Sequence, residues 1–80
     1  MHYVYLLQSL YAPNRHYGGL TDDLHERLRA HDRGDSPHTA RYKPWRVVAA
    51  VQFADRERAA ASEKYLKSGS GRAFAKRHFP

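Results

Sequence analysis

HYGGLTDDLHERLRAH, residues 16–31, carries the end of a strand, a turn and an amphipathic helix in one line. Tyr17 stands just before two glycines, which free the backbone to turn and let another group come close. Thr21 reads as the helix N-cap, and Asp22 and Asp23 place negative charge at the positive end of the dipole. Gly34 is the stop. Leu24 and Leu28 form the buried stripe, with Leu20 just ahead. At 3.6 residues per turn, Arg27 and His31 fall on the same side as those leucines. A guanidinium there is either a snorkelling side chain whose stem covers apolar surface or a working cation.

Upstream lies HYVYLLQS, residues 2–9, in which Tyr3 to Leu7 are all large and apolar or aromatic. Period-two geometry puts Tyr3, Tyr5 and Leu7 on one face and Val4 and Leu6 on the other. Both faces are apolar, so the strand is covered twice and belongs in the middle of a sheet. Pro13-Asn14 marks a turn before RHYGG, and the two runs read as an antiparallel hairpin.

Downstream, DSPHTARYKPW reads as a loop with a basic second half. WRVVAAVQF, residues 45–53, is a third strand, again apolar on both faces. Asp55 caps a second helix, RERAAASEKYLKSG, which stops at Gly69; SGRAFAKRHF is a short third helix capped by Ser70. The order β-β-α-β-α-α specifies an α/β domain of the α+β type. Its expected form is a three-stranded antiparallel sheet flanked by helices.

The second helix poses the complementary question. Ala59, Glu63 and Leu66 follow i, i+4, i+7, which aims Glu63 inward or at the core edge. An unpaired buried carboxylate costs several kcal/mol. Glu63 therefore meets a cation such as Arg27, or it binds a metal ion.

The chain has 80 residues, no cysteine and a formal net charge of +6. One domain, residues 1–80, is expected. No disulfide or zinc-thiolate site supplements its core. The basic balance suggests a polyanionic partner, nucleic acid first and an acidic membrane surface second. No apolar run approaches the roughly 20 residues that span a bilayer, and HYVYLL lacks the flanks of a signal peptide. A soluble, cytoplasmic protein is expected.

With YVYLL, HYGGLT and the series Tyr-x-Gly-x-Thr-x-Asp-Leu-x-x-Arg-Leu-x-x-His from Tyr17 to His31, the chain resembles the GIY-YIG nuclease domain in its small stand-alone form. PWRVVAAVQF and ASEKYLKSGSGRAF extend the likeness over nearly the whole chain. The first element reads Tyr3-Val4-Tyr5 and the second Tyr17-Gly18-Gly19; the late asparagine of repair and homing nucleases has no counterpart. The resemblance implies hydrolysis of DNA phosphodiesters with one divalent ion, Mg²⁺ or Mn²⁺. It assigns Tyr5 and Tyr17 as the tyrosine pair, Arg27 as the essential arginine, His31 as the polar helix residue and Glu63 as the metal ligand.

The chemistry is consistent at those positions. One carboxylate can hold Mg²⁺ when waters and phosphate oxygens complete the shell, and a guanidinium fork matches the charge that develops on the phosphate. A tyrosine of ordinary pKa is phenolate about one time in a thousand at neutral pH, so a base needs help from its neighbours. Either tyrosine could be that base, the other orienting. A DNA track is expected from Thr21, His38, Arg41, Lys43 and Arg46, with Tyr42 and Trp45 available to stack on bases. Lys64, Lys67, Arg72, Lys76 and Arg77 make a basic C-terminal end whose bland reading is solubility. The expected function is a metal-dependent DNA endonuclease, structure-directed and linked to repair or processing, with a protein partner for targeting as an option. Its rivals are a nucleic-acid-binding module without useful activity and a nuclease subunit that needs a partner.

Overall fold

Strand β1 (His2–Ser9) runs between β2 (His16–Thr21) and β3 (Trp45–Phe53), antiparallel to both, in a computed structural model that describes residues 1–79. The helices are α1 (Leu24–Arg33), α2 (Pro37–Ala40), α3 (Arg56–Leu66) and α4 (Gly69–His78). The expected α+β order and antiparallel three-stranded sheet are both present, with one short extra helix. β1 is central because its side chains are large on both faces and each face has a cover. Register pairs Tyr5 with Gly19 and Leu7 with Tyr17 on one side, and Tyr5 with Ala50 and Leu7 with Val47 on the other, with a shift between Leu6 and Leu7. Paired residues share a face. Tyr5, Leu7 and Trp45 form the core of that face, under Leu24 and Leu28 of α1, Tyr42 and Val47. Val4, on the opposite face, is also buried, and α3 lies against all three strands with Ala59 fully enclosed.

Four local expectations are corrected. Asp23, not Thr21, caps α1, its carboxylate accepting from the Glu26 N–H at 3.1 Å. Thr21 instead closes a turn onto Asp23, accepting from its N–H at 3.1 Å and donating to its carbonyl at 3.2 Å. A hydroxyl suited to capping is equally suited to this local turn. The loop after α1 contains α2, nucleated by Ser36-Pro37, with proline in the first turn where its missing N–H costs nothing. β3 is an edge strand, and its outer residues, Val51 among them, are exposed.

The last correction concerns the C-terminal helices. α3 ends at Leu66 with Lys67 as C-cap, and Ser68, not Ser70, caps α4 by accepting from the Gly71 N–H at 3.1 Å. Two serines two residues apart are alike as caps in sequence. What separates them is Gly71: a Cβ there would overlap the Tyr65 carbonyl, so α4 must start where a bare Cα meets the end of α3.

Candidate active site

Tyr5 is the centre. It comes from the middle strand, is 1% exposed, and its phenol lies against Gly19 of β2, where no side chain obstructs it. Its hydroxyl is 3.0 Å from Nε2 of His31. Nδ1 of the same ring is 2.8 Å from the Thr39 hydroxyl, and that hydroxyl is 3.4 Å from the Ser36 carbonyl. The network assigns the protons. Thr39 donates to Ser36, His31 donates Nδ1–H to Thr39, and Nε2 accepts from the Tyr5 O–H. Trp45 steadies the same corner, its indole N–H donating to the Thr39 carbonyl at 2.9 Å.

Tyr17 completes an aromatic cluster. Its ring centroid is 5.0 Å from His31 and 6.5 Å from Tyr5. Unlike Tyr5, it is only half-buried.

The electrostatics separate the groups. Burial, reinforced by Tyr17 and Glu63, pushes the Tyr5 phenol up to about 12, while Arg27 opposes the rise. Burial and then Arg27 hold His31 below its ordinary range, against a smaller contrary effect of Asp32. Burial thus raises the phenol and lowers the imidazole, and both shifts keep the proton on Tyr5. Tyr5 and His31 are therefore a neutral donor–acceptor pair.

Arg27 of α1 and Glu63 of α3 thus exert opposite influences on one phenol from two different helices. Glu63 is a quarter exposed, and its cation is Lys67, 3.4 Å away on the next turn, not Arg27. Lys67 Nζ also lies 5.9 Å from the Tyr17 ring centroid. Among the described residues, no three His, Cys, Asp or Glu side chains gather into a ready-made metal cage. Glu63 supplies one hard oxygen donor, partly open to solvent, and that donor set fits Mg²⁺ or Mn²⁺ with water and phosphate completing the shell.

A shallow groove bounded by Thr21, Arg27 and Arg56 holds Arg27 but not Tyr5, Tyr17, His31 or Glu63. His31 is buried, and Tyr5 and Thr39 satisfy both its nitrogens. Thr21 is buried, its hydroxyl occupied by the Asp23 backbone. His38, Arg41, Lys43 and Arg46 are exposed. Arg46 donates to the Gln8 side chain at 2.8 Å, and its register places it on the Val4 face, away from Tyr5. Trp45 is corrected as a stacking residue, since its indole belongs to the core. Tyr42 is half-buried, with the Arg15 and Arg41 guanidinium carbons 5.0 and 5.7 Å from its ring centroid.

Sequence reasoning missed Thr39 and Arg15, and read Lys67 only as part of the basic C-terminal end rather than as the partner of Glu63. Lys67 was legible as the i+4 partner of Glu63. Thr39 carried no local signal, because its partner is eight residues away across a turn.

Residues 1–77 match the family model of the GIY-YIG catalytic domain. The chain belongs to the GIY-YIG family. It is also 36% identical over 67 residues to a UPF0213 protein of Lacticaseibacillus paracasei, covering 82% of this chain and 73% of that one. GIY-YIG domains are nuclease domains. No helix among the described residues is long and apolar enough to cross a membrane.

Proposed function

We propose that this GIY-YIG chain is a single-domain, divalent-metal-dependent endonuclease that hydrolyses phosphodiester bonds in structured DNA, in DNA repair or processing. The observation that carries the reading is the convergence on Tyr5: one enclosed phenol, fixed by His31, under the opposed influences of Arg27 and Glu63.

Hydrolysis loads negative charge on the nonbridging and leaving oxygens. Arg27 supplies a permanent cationic fork for that charge. Glu63 would hold the ion, which when bound polarises the phosphoryl oxygen and stabilises the leaving group. Lys67 then has to yield the carboxylate it holds.

The tyrosines divide the remaining work. With its pKa near 12, Tyr5 is phenolate roughly once in 10⁵ at neutral pH. It acts as a positioned neutral hydroxyl, anchored by His31. Tyr17, half-buried and with Lys67 Nζ 5.9 Å from its ring centroid, is the tyrosine assigned the general-base role in this reading. His31, held neutral with Nε2 already engaged, orients Tyr5 rather than relaying a proton. The exposed cations His38, Arg41 and Lys43 supply backbone contacts to DNA.

The test is a substrate panel: the purified chain with Mg²⁺, Mn²⁺ or EDTA on nicked, flapped and plain duplex DNA. Metal-dependent cutting that favours an irregular junction supports the reading. Binding without cutting under every condition replaces it with a binding module. Cutting that appears only with cell extract points to a subunit with a missing partner.

A further inference from the structure

Residues 64–79 contain Lys64, Lys67, Arg72, Lys76 and Arg77 and no aspartate or glutamate. Nearly the whole formal excess of +6 therefore sits on the end of α3 and on α4. The same segment holds an aromatic cluster that the core does not use. Tyr65 and Phe74 are 46% and 42% exposed, with ring centroids 6.2 Å apart. His78 lies 4.5 Å and Phe79 5.9 Å from the Phe74 ring. Arg77 and His78 are the i+3 and i+4 neighbours of Phe74, so cation and ring share one side of α4.

The cluster is held rigidly. Gly71 meets the Tyr65 carbonyl without room for a Cβ, and Ser68 ties the connection by donating to that same carbonyl at 2.6 Å. The two helices are thereby fixed in the relation that presents Tyr65 beside Phe74. Tyr65 is two residues from Glu63, which on a helix is about 200° away. The aromatic face thus looks away from the carboxylate side of α3.

Exposed rings on an acid-free cationic segment fit an anionic ligand with flat faces. Duplex DNA offers phosphates but keeps its base faces stacked, whereas a single strand offers both. We propose that the outer face of the α3–α4 pair binds single-stranded nucleic acid, with Tyr65 and Phe74 as its stacking platform and Arg77 on the backbone. The inference rests on the nuclease reading only for the strand's biological meaning: an unpaired arm beside the junction being cut.

Binding is measured by fluorescence anisotropy in EDTA, so cleavage plays no part. The probes are a labelled oligothymidine of about 12 nucleotides, within the span of small single-strand sites, and a duplex of equal length. Phe74→Ala and Tyr65→Ala should each weaken single-strand binding at least about 5-fold, the lower end for lost base stacking, with little change on duplex. Phe74→Leu, which keeps apolar bulk without a π face, should behave like Phe74→Ala and guards against a folding artefact. Arg77→Gln should weaken binding and flatten its salt dependence. Single-strand binding unchanged by Phe74→Ala, or equal losses on both probes, would overturn the proposal. So would full binding by Phe74→Leu. Concentration-dependent dimerisation that Phe74→Ala abolishes while oligonucleotide binding persists would reassign the face to a second copy of the chain.

Discussion

Gly19→Ala tests the heart of the site. A Cβ at position 19 would overlap the Tyr5 phenol oxygen and the ring carbon that bears it. Tyr5 is fully enclosed and its hydroxyl is bonded to His31, so the ring has no free direction in which to move. Forcing a methyl into a packed core costs about 1–3 kcal/mol. Losing the tyrosine–histidine hydrogen bond adds about 1 kcal/mol. The sum, roughly 2–4 kcal/mol, is a large share of the 4–12 kcal/mol expected for a domain of this size at about 0.05–0.15 kcal/mol per residue. The neighbouring glycine is the control. A Cβ at Gly18 would find the Tyr5 carbonyl oxygen as its nearest neighbour, at 3.7 Å, an ordinary contact. Gly18→Ala should therefore stay within about 0.5 kcal/mol of wild type. Urea melts followed by circular dichroism read both variants. At a slope near 1 kcal/mol per M, the Gly19→Ala midpoint should fall by about 2 M or more. DNA cleavage should be lost well below the melting transition. If Gly19→Ala melts with Gly18→Ala and still cuts, Tyr5 is not where this reasoning puts it.

Tyr5→Phe should cost about 1–3 kcal/mol because it leaves buried Nε2 of His31 without its donor, again by urea melt. Thr39→Val should move the His31 proton from Nδ1 toward Nε2, visible in the ¹⁵N shifts of the ring, and Thr39→Ser should restore the wild-type pattern. The Tyr5 phenol, raised from 10 to about 12, favours the protonated folded state. Its contribution is fully present below pH 10 and is lost as pH rises toward 12, about 2–3 kcal/mol in all; the alkaline arm of stability should flatten in Tyr5→Phe. His31 has the opposite sign. Its lowered pKa gives stability that is present above pH 6.5 and lost as pH falls. NMR should show His31 still neutral at pH values where an ordinary, solvent-exposed histidine has titrated.

The elements were legible where one physical signal dominated. β1 declared itself by large apolar residues on both faces, and α3 by Asp55, whose carboxylate caps it through the Glu57 N–H at 2.9 Å. Errors arose where two residues could serve one local purpose. Thr21 and Asp23 are both cap-forming residue types, as are Ser68 and Ser70, and only tertiary contact decides which one caps. The edge position of β3 is set by strand order, to which its own apolar pattern is blind. In the site, helical periodicity put Arg27 and His31 on the leucine side of α1 and aimed Glu63 inward, and the resemblance joined them to the strand tyrosines. Periodicity could not reveal that His31 would be enclosed by Thr39, because that contact depends on how α2 folds back. Nor could residue types say which tyrosine would be fully enclosed; the packing of the sheet face decides that.

The most direct test is single-turnover cleavage of a flapped duplex in Mn²⁺ by wild type, Glu63→Gln and Arg27→Ala, with DNA binding measured on the same samples in EDTA. Each variant should bind DNA about as tightly as wild type and cut it at least about 100-fold more slowly, the scale for losing one group that stabilises developing charge. Cleavage by either variant at the wild-type rate would contradict the account.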